Sequence, residues 1–228
     1  MEYDAYIFDV QGTILDFYGP VARALDAEFT ARGVVVPVGD VVRAWRQDYF
    51  ERVAALDQTV DRWHPVQRVY QDGLSDVSET YDVEIEPARR AGLAASWQQL
   101  EPWPDVRDGL RRLRERALTA TLSNTDMATM VRLFKELRID WDAVLTAEVF
   151  GAFKPAPALY ERTCRYLGVE PGRAAMVASH PYDLRAAKAV GLNTIFVYRP
   201  FEFGSVEFAV DDVDGEFDHR ITDLRQIP

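Results

Sequence analysis

Cys164 is the only cysteine in the 228 residues, which excludes an intrachain disulfide framework and a thiolate metal cluster. It falls within a helical pattern beside Leu159, Tyr160 and Leu167, which argues against a nucleophilic role. Positive charge is also short: 26 Lys and Arg stand against 37 Asp and Glu, for a formal net charge of −11. No Lys/Arg run suited to phosphates or anionic headgroups is read in the chain, so neither nucleic acid nor a membrane surface is expected as partner. No apolar run approaches the ~20 residues of a membrane span. No basic leader with an apolar segment precedes the first strand, and a cytoplasmic protein is expected. Low-complexity tracts and internal repeats are lacking too.

What remains is ordinary for a globular chain, with 48% apolar and 28% charged residues. The length allows one sizeable core, or a core carrying a smaller domain. Ala5 to Val10 is an apolar, β-forming run with almost no polar relief, as suits a strand buried on both faces of a parallel sheet. It runs into Asp9 and turns at Gly12. From about Tyr18 to Ser96 the pattern is helical throughout: Val21, Leu25 and Phe29 mark one helix, and Val42, Trp45, Tyr49 and Val53 a second. Further helical stretches follow, with breaks near Gly73 and at Pro87. After the Pro102 to Pro104 linker, strands at 118–123, 143–147, 174–178 and 194–198 alternate with helices. Such alternation means right-handed crossovers and a parallel α/β sheet. The domains are expected to be a core of residues 1–17 and 98–228 and an all-helical cap of residues 18–97 inserted after strand one.

In open α/β sheets ligands bind beyond the carboxyl ends of the strands. Asp9 lies at such an end, as do Ser123 and Asn124 after the second strand, Lys154 after the third, and Ser179, His180 and Asp183 after the fourth. Each residue alone is equally well a turn former or a surface charge. Together they set two carboxylates, an ammonium, hydroxyls and an amide around one crevice.

The motifs Phe8-Asp9-x-x-Gly12-Thr13, Leu122-Ser123-Asn124, Lys154-Pro155 and Asp183 with Ala186-Ala187 and Gly191 resemble those of the haloacid dehalogenase superfamily over nearly the whole chain. The resemblance implies a Rossmann-like core with strand order 5-4-1-2-3 and a cap after strand one. It also implies that Asp9 is the covalent nucleophile, that Lys154 and Ser123 hold its carboxylate or the substrate anion, and that Asp183 serves the hydrolytic step. Most of that superfamily are magnesium phosphotransferases, with an acid/base aspartate two residues after the nucleophile. Gln11 stands there and cannot transfer a proton. Ser179 occupies the place of one of the acidic metal ligands, which disfavours a stable Mg²⁺ site.

The metal-independent L-2-haloacid dehalogenase branch has the same losses. Trp45-Arg46-Gln47 is similar to its segment whose arginine takes the departing halide, and the run from Lys154 to Tyr160 resembles its third motif. Histidine at position 180 and the run Arg199-Pro200-Phe201-Glu202-Phe203-Gly204 are similar to a subgroup acting on small haloacids and fluoroacetate. The implied reaction is two-step hydrolysis of a short 2-haloalkanoate, without a cofactor or metal. Asp9, Lys154 and Asp183 are the expected catalytic residues. Gln11, Thr13, Arg46, Ser123, Asn124, Tyr160, Ser179 and His180 are expected around a small anionic organic substrate, with amides of the Gly12 to Thr13 turn on its carboxylate. His180 reads either as a donor on the halide side or as satisfying the turn backbone. A phosphatase of the same superfamily and a catalytically divergent binding protein stand as alternatives. The oligomeric state is open, with a homodimer as the candidate assembly.

Overall fold

Five short strands pair side by side in parallel: β1 (Ala5–Phe8), β2 (Leu118–Thr121), β3 (Ala174–Ala178), β4 (Asn193–Val197) and β5 (His219–Ile221), in the order β2-β1-β3-β4-β5. Every residue of β1 and β3 is buried, which is why these strands carry unbroken apolar sequence rather than alternation. The computed structural model describes residues 3–56, 63–209, 213 and 215–228. The chain divides into two units, one holding the residues up to Asp16 and from Pro102 onward, the other spanning Phe17–Glu101.

In the sheet unit, helices Val106–Arg114, Met127–Leu137, Pro157–Leu167 and Pro181–Ala189 alternate with the strands. Cys164 is buried in the third of these, and burial pushes its thiol up to about 11, consistent with an inert packing residue. The order of the expected strands is 5-4-1-2-3, with His219–Ile221 added at the edge beyond Asn193–Val197. One expectation is corrected. Residues 143–147 do not form a continuous strand and meet the sheet only through the isolated bridges Ala120↔Ala143 and Ser123↔Thr146. The cause is local: the Thr121 hydroxyl donates to Leu145 O (2.9 Å) and accepts from Leu145 N (3.0 Å), doing with a side chain what the backbone ladder would have done. The edge is secured by Asp142, whose carboxylate accepts from Thr119 N and Oγ1. Asp218 does the same for Thr194 at the opposite side, just before β5.

A second correction concerns charge. Arg111, Arg112 and Arg114 do cluster on helix Val106–Arg114. Arg111 pairs with Asp108 at 2.8 Å, and Arg114 reaches Asp142 at 3.5 Å and Asp140 at 3.7 Å, so the helix face is partly neutralised.

The other unit comprises helices Tyr18–Ala31, Val38–Ala55, Val66–Thr80 and Pro87–Ala94 with a short 3₁₀ turn at Ala95–Gln98. Its centre is aromatic: Tyr70 and Trp97 stack at 4.3 Å, and Trp45 stands edge-on to both while donating from Nε1 to Tyr70 O at 2.9 Å. The break expected near Gly73 does not occur, because Gly73 lies inside helix Val66–Thr80. A Cβ there would come within 2.0 Å of Asp48 Oδ2, so the glycine marks a close helix crossing rather than an interruption. No helix among the described residues is long and apolar enough to cross a membrane.

Gly109 makes the same point with backbone as its neighbour. A Cβ would lie 2.6 Å from Leu224 Cβ and 3.1 Å from its carbonyl carbon. Ala favours a helix over Gly by up to ~1 kcal/mol, whereas overpacking against a fixed chain costs about 1–3 kcal/mol. Gly109→Ala is therefore expected to lower stability in urea unfolding, and an increase would show that Leu224 yields freely.

Candidate active site

Asp9 directly follows β1, and both of its carboxylate oxygens are engaged. Oδ1 accepts from Lys154 Nζ at 2.7 Å. Oδ2 accepts from the Thr13 hydroxyl at 2.7 Å and lies 2.9 Å from His180 Nδ1. The other ring nitrogen of His180, Nε2, lies 2.8 Å from Glu202 Oε1. A ring held between two carboxylates donates from both nitrogens and is therefore an imidazolium. Burial works against that charge, but Glu202 and Asp9 outweigh it and raise the His180 pKa to about 10. Burial likewise pushes the Asp9 carboxyl up, and the charges of Lys154 and His180 overcome it, holding the group well below the usual carboxylate range.

Lys154 also donates to Asp183 Oδ2 at 2.5 Å, and Tyr160 donates to Asp183 Oδ1 at 2.5 Å. Asp183 is wholly buried, and burial together with the nearby Asp9 charge raises its pKa against the pull of Lys154. Tyr160 is raised as well, by burial and then by Asp183, so its hydroxyl stays protonated and keeps donating. The environments therefore push the two carboxylates in opposite directions, which assigns them different work. Asp9 is a persistent anion with 6% of its surface open, and Asp183, with none, is the better proton acceptor.

The turn that carries these groups is clamped from behind. Gly12 has φ +88°, a conformation that favours glycine, and a Cβ on it would sit 2.1 Å from Glu202 Oε1. Trp103 Nε1 donates to Gly12 O at 2.9 Å, and Arg199 Nε donates to Thr13 O at 3.0 Å. Arg199 in turn forms a two-pronged pair with Asp105, both contacts at 3.0 Å, and Asp105 Oδ2 also accepts from Leu224 N at 2.7 Å.

Several residues expected at the substrate meet protein groups here instead. Asn124 accepts at Oδ1 from Lys154 N at 2.8 Å, so it holds the lysine's backbone. Tyr160 serves Asp183. Thr13 serves Asp9 and accepts from Ser179 N at 2.8 Å, while Ser179 Oγ donates to Glu202 at 3.2 Å. The Ser123 hydroxyl is buried and faces Thr125. The Gly12 amide, expected on a substrate carboxylate, donates to Leu15 O at 2.8 Å. Gln11 is buried in the same turn. His180 meets Asp9 and Glu202, partners that neither expected part included.

Arg46 belongs to the helical unit. It is buried, donates to the Tyr70 hydroxyl at 2.7 Å, and its guanidinium lies 4.6–5.0 Å from the ring centroids of Phe50, Phe17 and Tyr49.

Asp105, Arg199 and Glu202 were not assigned roles from sequence. For the last two a signal existed: they follow β4 at the same sheet edge as Asp9, so the strand-end rule applies to them as well. For Asp105, beside the linker prolines, none did.

Among the described residues no group of three or more His, Cys, Asp or Glu side chains could hold a metal ion. At Asp9 the physical reason is plain, because two protein cations already contact its oxygens.

A family model described as haloacid dehalogenase-like hydrolase matches residues 3–191. The (S)-2-haloacid dehalogenase 4A of Burkholderia cepacia is 28% identical over 211 residues, covering 90% of this chain and 87% of that protein. The crystal structure of the L-2-haloacid dehalogenase PA0810 is similar with a TM-score of 0.87 at 28% identity, covering 97% of this chain and 96% of that one. That of the defluorinating L-2-haloacid dehalogenase Rha0230 gives 0.88 at 28% identity, covering 98% and 92%.

Removing one partner of a buried ion pair strands the other charge, at a cost of about 3–5 kcal/mol. Asp105→Asn should therefore destabilise the protein by that order in urea unfolding, since Arg199 is left buried. A loss under ~1 kcal/mol would show that the pair behaves as a surface contact.

Proposed function

Since the chain belongs to the haloacid dehalogenase-like hydrolases, we propose that it hydrolyses short 2-haloalkanoic acids, haloacetates included, through an ester on Asp9. The observation that carries this reading is the charge already present at the nucleophile. Lys154 and the His180 imidazolium contact Asp9, so a divalent cation there would have to sit against two positive charges. A phosphatase of this family would also need a proton donor where Gln11 stands. The 2-haloacid dehalogenases among the relatives support the substrate class.

In this reading Asp9 attacks the halogen-bearing carbon from behind. An oriented carboxylate replaces dilute water, an advantage of roughly 7–11 kcal/mol for well-placed groups. The ester forms, and the halide departs; Arg46, with its guanidinium among aromatic rings, is a cation of the kind that suits a large soft anion. Gln11 meets the substrate carboxylate. Water, deprotonated by Asp183, then attacks the Asp9 carboxyl carbon and releases the hydroxy acid.

The test is halide release from chloroacetate and 2-chloropropionate, with and without EDTA, beside a generic phosphate ester. Halide release unaffected by EDTA is expected. Phosphate release restored by Mg²⁺, without halide release, would reverse the reading. Asp9→Asn keeps the side-chain shape and loses the nucleophile, so turnover should fall by roughly a thousandfold or more with the circular dichroism spectrum unchanged. Lys154→Ala should also fall severely, because two buried carboxylates then share a site without their counter-charge and one takes up a proton.

A further inference from the structure

We propose that Glu202 is a positioning residue: it holds the His180 ring so that Nδ1–H, with the Thr13 hydroxyl, grips Asp9 Oδ2, leaving attack to Oδ1 and forming the donor pair for the oxyanion of ester hydrolysis. The inference rests on the reading of Asp9 as nucleophile.

The two oxygens of Asp9 are not equivalent. Oδ2 has two donors, Thr13 at 2.7 Å and His180 at 2.9 Å, and Oδ1 has Lys154 at 2.7 Å. A carboxylate oxygen has two in-plane lone pairs. Only Oδ1 can bond to carbon without giving up a donor, so the ester forms through Oδ1 and Oδ2 becomes its carbonyl oxygen. When water attacks the carboxyl carbon, the new C–O bond pushes the carbonyl electron pair onto Oδ2. That is the atom on which Thr13 and His180 converge, and donors already aimed at a developing oxyanion need no reorganisation.

The proton balance closes through Lys154. Asp183 takes one proton from the attacking water. Collapse of the tetrahedral intermediate breaks the bond between the carboxyl carbon and Oδ1, and the electron pair leaves on Oδ1 as the alkoxide of the product. Lys154 Nζ, between Oδ1 and Asp183 Oδ2, protonates that alkoxide and is reprotonated by Asp183. The second water proton passes to solvent from the regenerated Asp9, matching the acid formed with each halide.

Glu202 is what makes His180 fit for this part. It is 1% exposed, binds Nε2 through Oε1, and is steadied at Oε2 by Ser179 Oγ. Gly12 leaves it room, since a Cβ at that position would overlap it. The groups facing His180 are Asp9 and Glu202, with the Tyr182 ring 5.7 Å away and Lys154 across Asp9. With its pKa raised to about 10, the ring is charged at neutral pH and loses its second proton only as pH rises through that value. Removing the Glu202 charge takes away one of the two carboxylate pulls that raise it, so the transition moves to lower pH.

The experiment compares the wild-type protein and Glu202→Gln with chloroacetate under rapid-quench conditions. The variant should retain a first-turnover halide burst within a few-fold of wild type. Its steady-state turnover should fall by roughly 10–100-fold, with alkylated Asp9 peptide accumulating and the alkaline limb of turnover moving to lower pH. Burst and steady state falling in parallel, or neither changing, would overturn the proposal. Nitrogen-15 NMR of His180 in the wild-type protein gives a readout that needs neither variant nor turnover: both ring nitrogens should be protonated at pH 7–8, and a neutral ring would overturn the proposal. If the ring is charged as expected but the wild-type protein releases no halide from any haloacid, the dehalogenase reading fails and the catalytic part of this one with it.

Discussion

The structure depends on one ammonium between two carboxylates. Lys154 Nζ donates to Asp9 at 2.7 Å and Asp183 at 2.5 Å, with its side chain only 1% exposed. Without that charge the sheet edge would hold two buried anions side by side, a repulsion that burial magnifies. With it, the two carboxylates share a cation and still differ. Asp9 gains a second cation in His180 and stays ionised, while Asp183 gains only a neutral donor in Tyr160 and has its pKa raised. The difference between the two carboxylates thus follows from what surrounds each residue.

Around that centre the chain behind the site acts as a brace. Arg199 and Glu202 follow β4 and reach back to the neighbouring strand ends, one to the Thr13 carbonyl after β1 and the other to His180 and Ser179 after β3. Asp105 ties Arg199 to the start of helix Val106–Arg114 and to Leu224. Segments far apart in sequence therefore brace the strand ends that carry the site. A site built this way can hold Asp9 in one orientation at the expense of several buried polar groups, each of which has to be satisfied.

Much of this was legible in the sequence, for identifiable reasons. Apolar runs such as Tyr6-Ile7-Phe8 and Ala175-Met176-Val177 have no reading but buried strands, and parallel strands carry their following residues to one edge. Asp9, Lys154 and Asp183 could thus be grouped before any geometry. The strand expected at 143–147 failed because Thr121, an ordinary β-former by type, spends its hydroxyl on the backbone of Leu145. The break expected at Gly73 failed because a glycine that lets helices approach looks the same in sequence as one that ends a helix. Tyr160 and Asn124 were placed near the right residues with the wrong partners, since a one-dimensional pattern says which groups converge and not which way they face. His180 was singled out, but its charge became readable only when Glu202 was seen on its far side.

Whether Asp9 forms a bond to substrate carbon is the central claim, and a single turnover in ¹⁸O water with enzyme in excess over chloroacetate tests it most directly. If Asp9 Oδ1 attacks and water then cleaves the ester at the carboxyl carbon, the hydroxy acid leaves largely unlabelled and the label appears in the Asp9 peptide. Label in the product with none in Asp9 would mean that water attacks the substrate carbon itself, contradicting the nucleophile role assigned to Asp9.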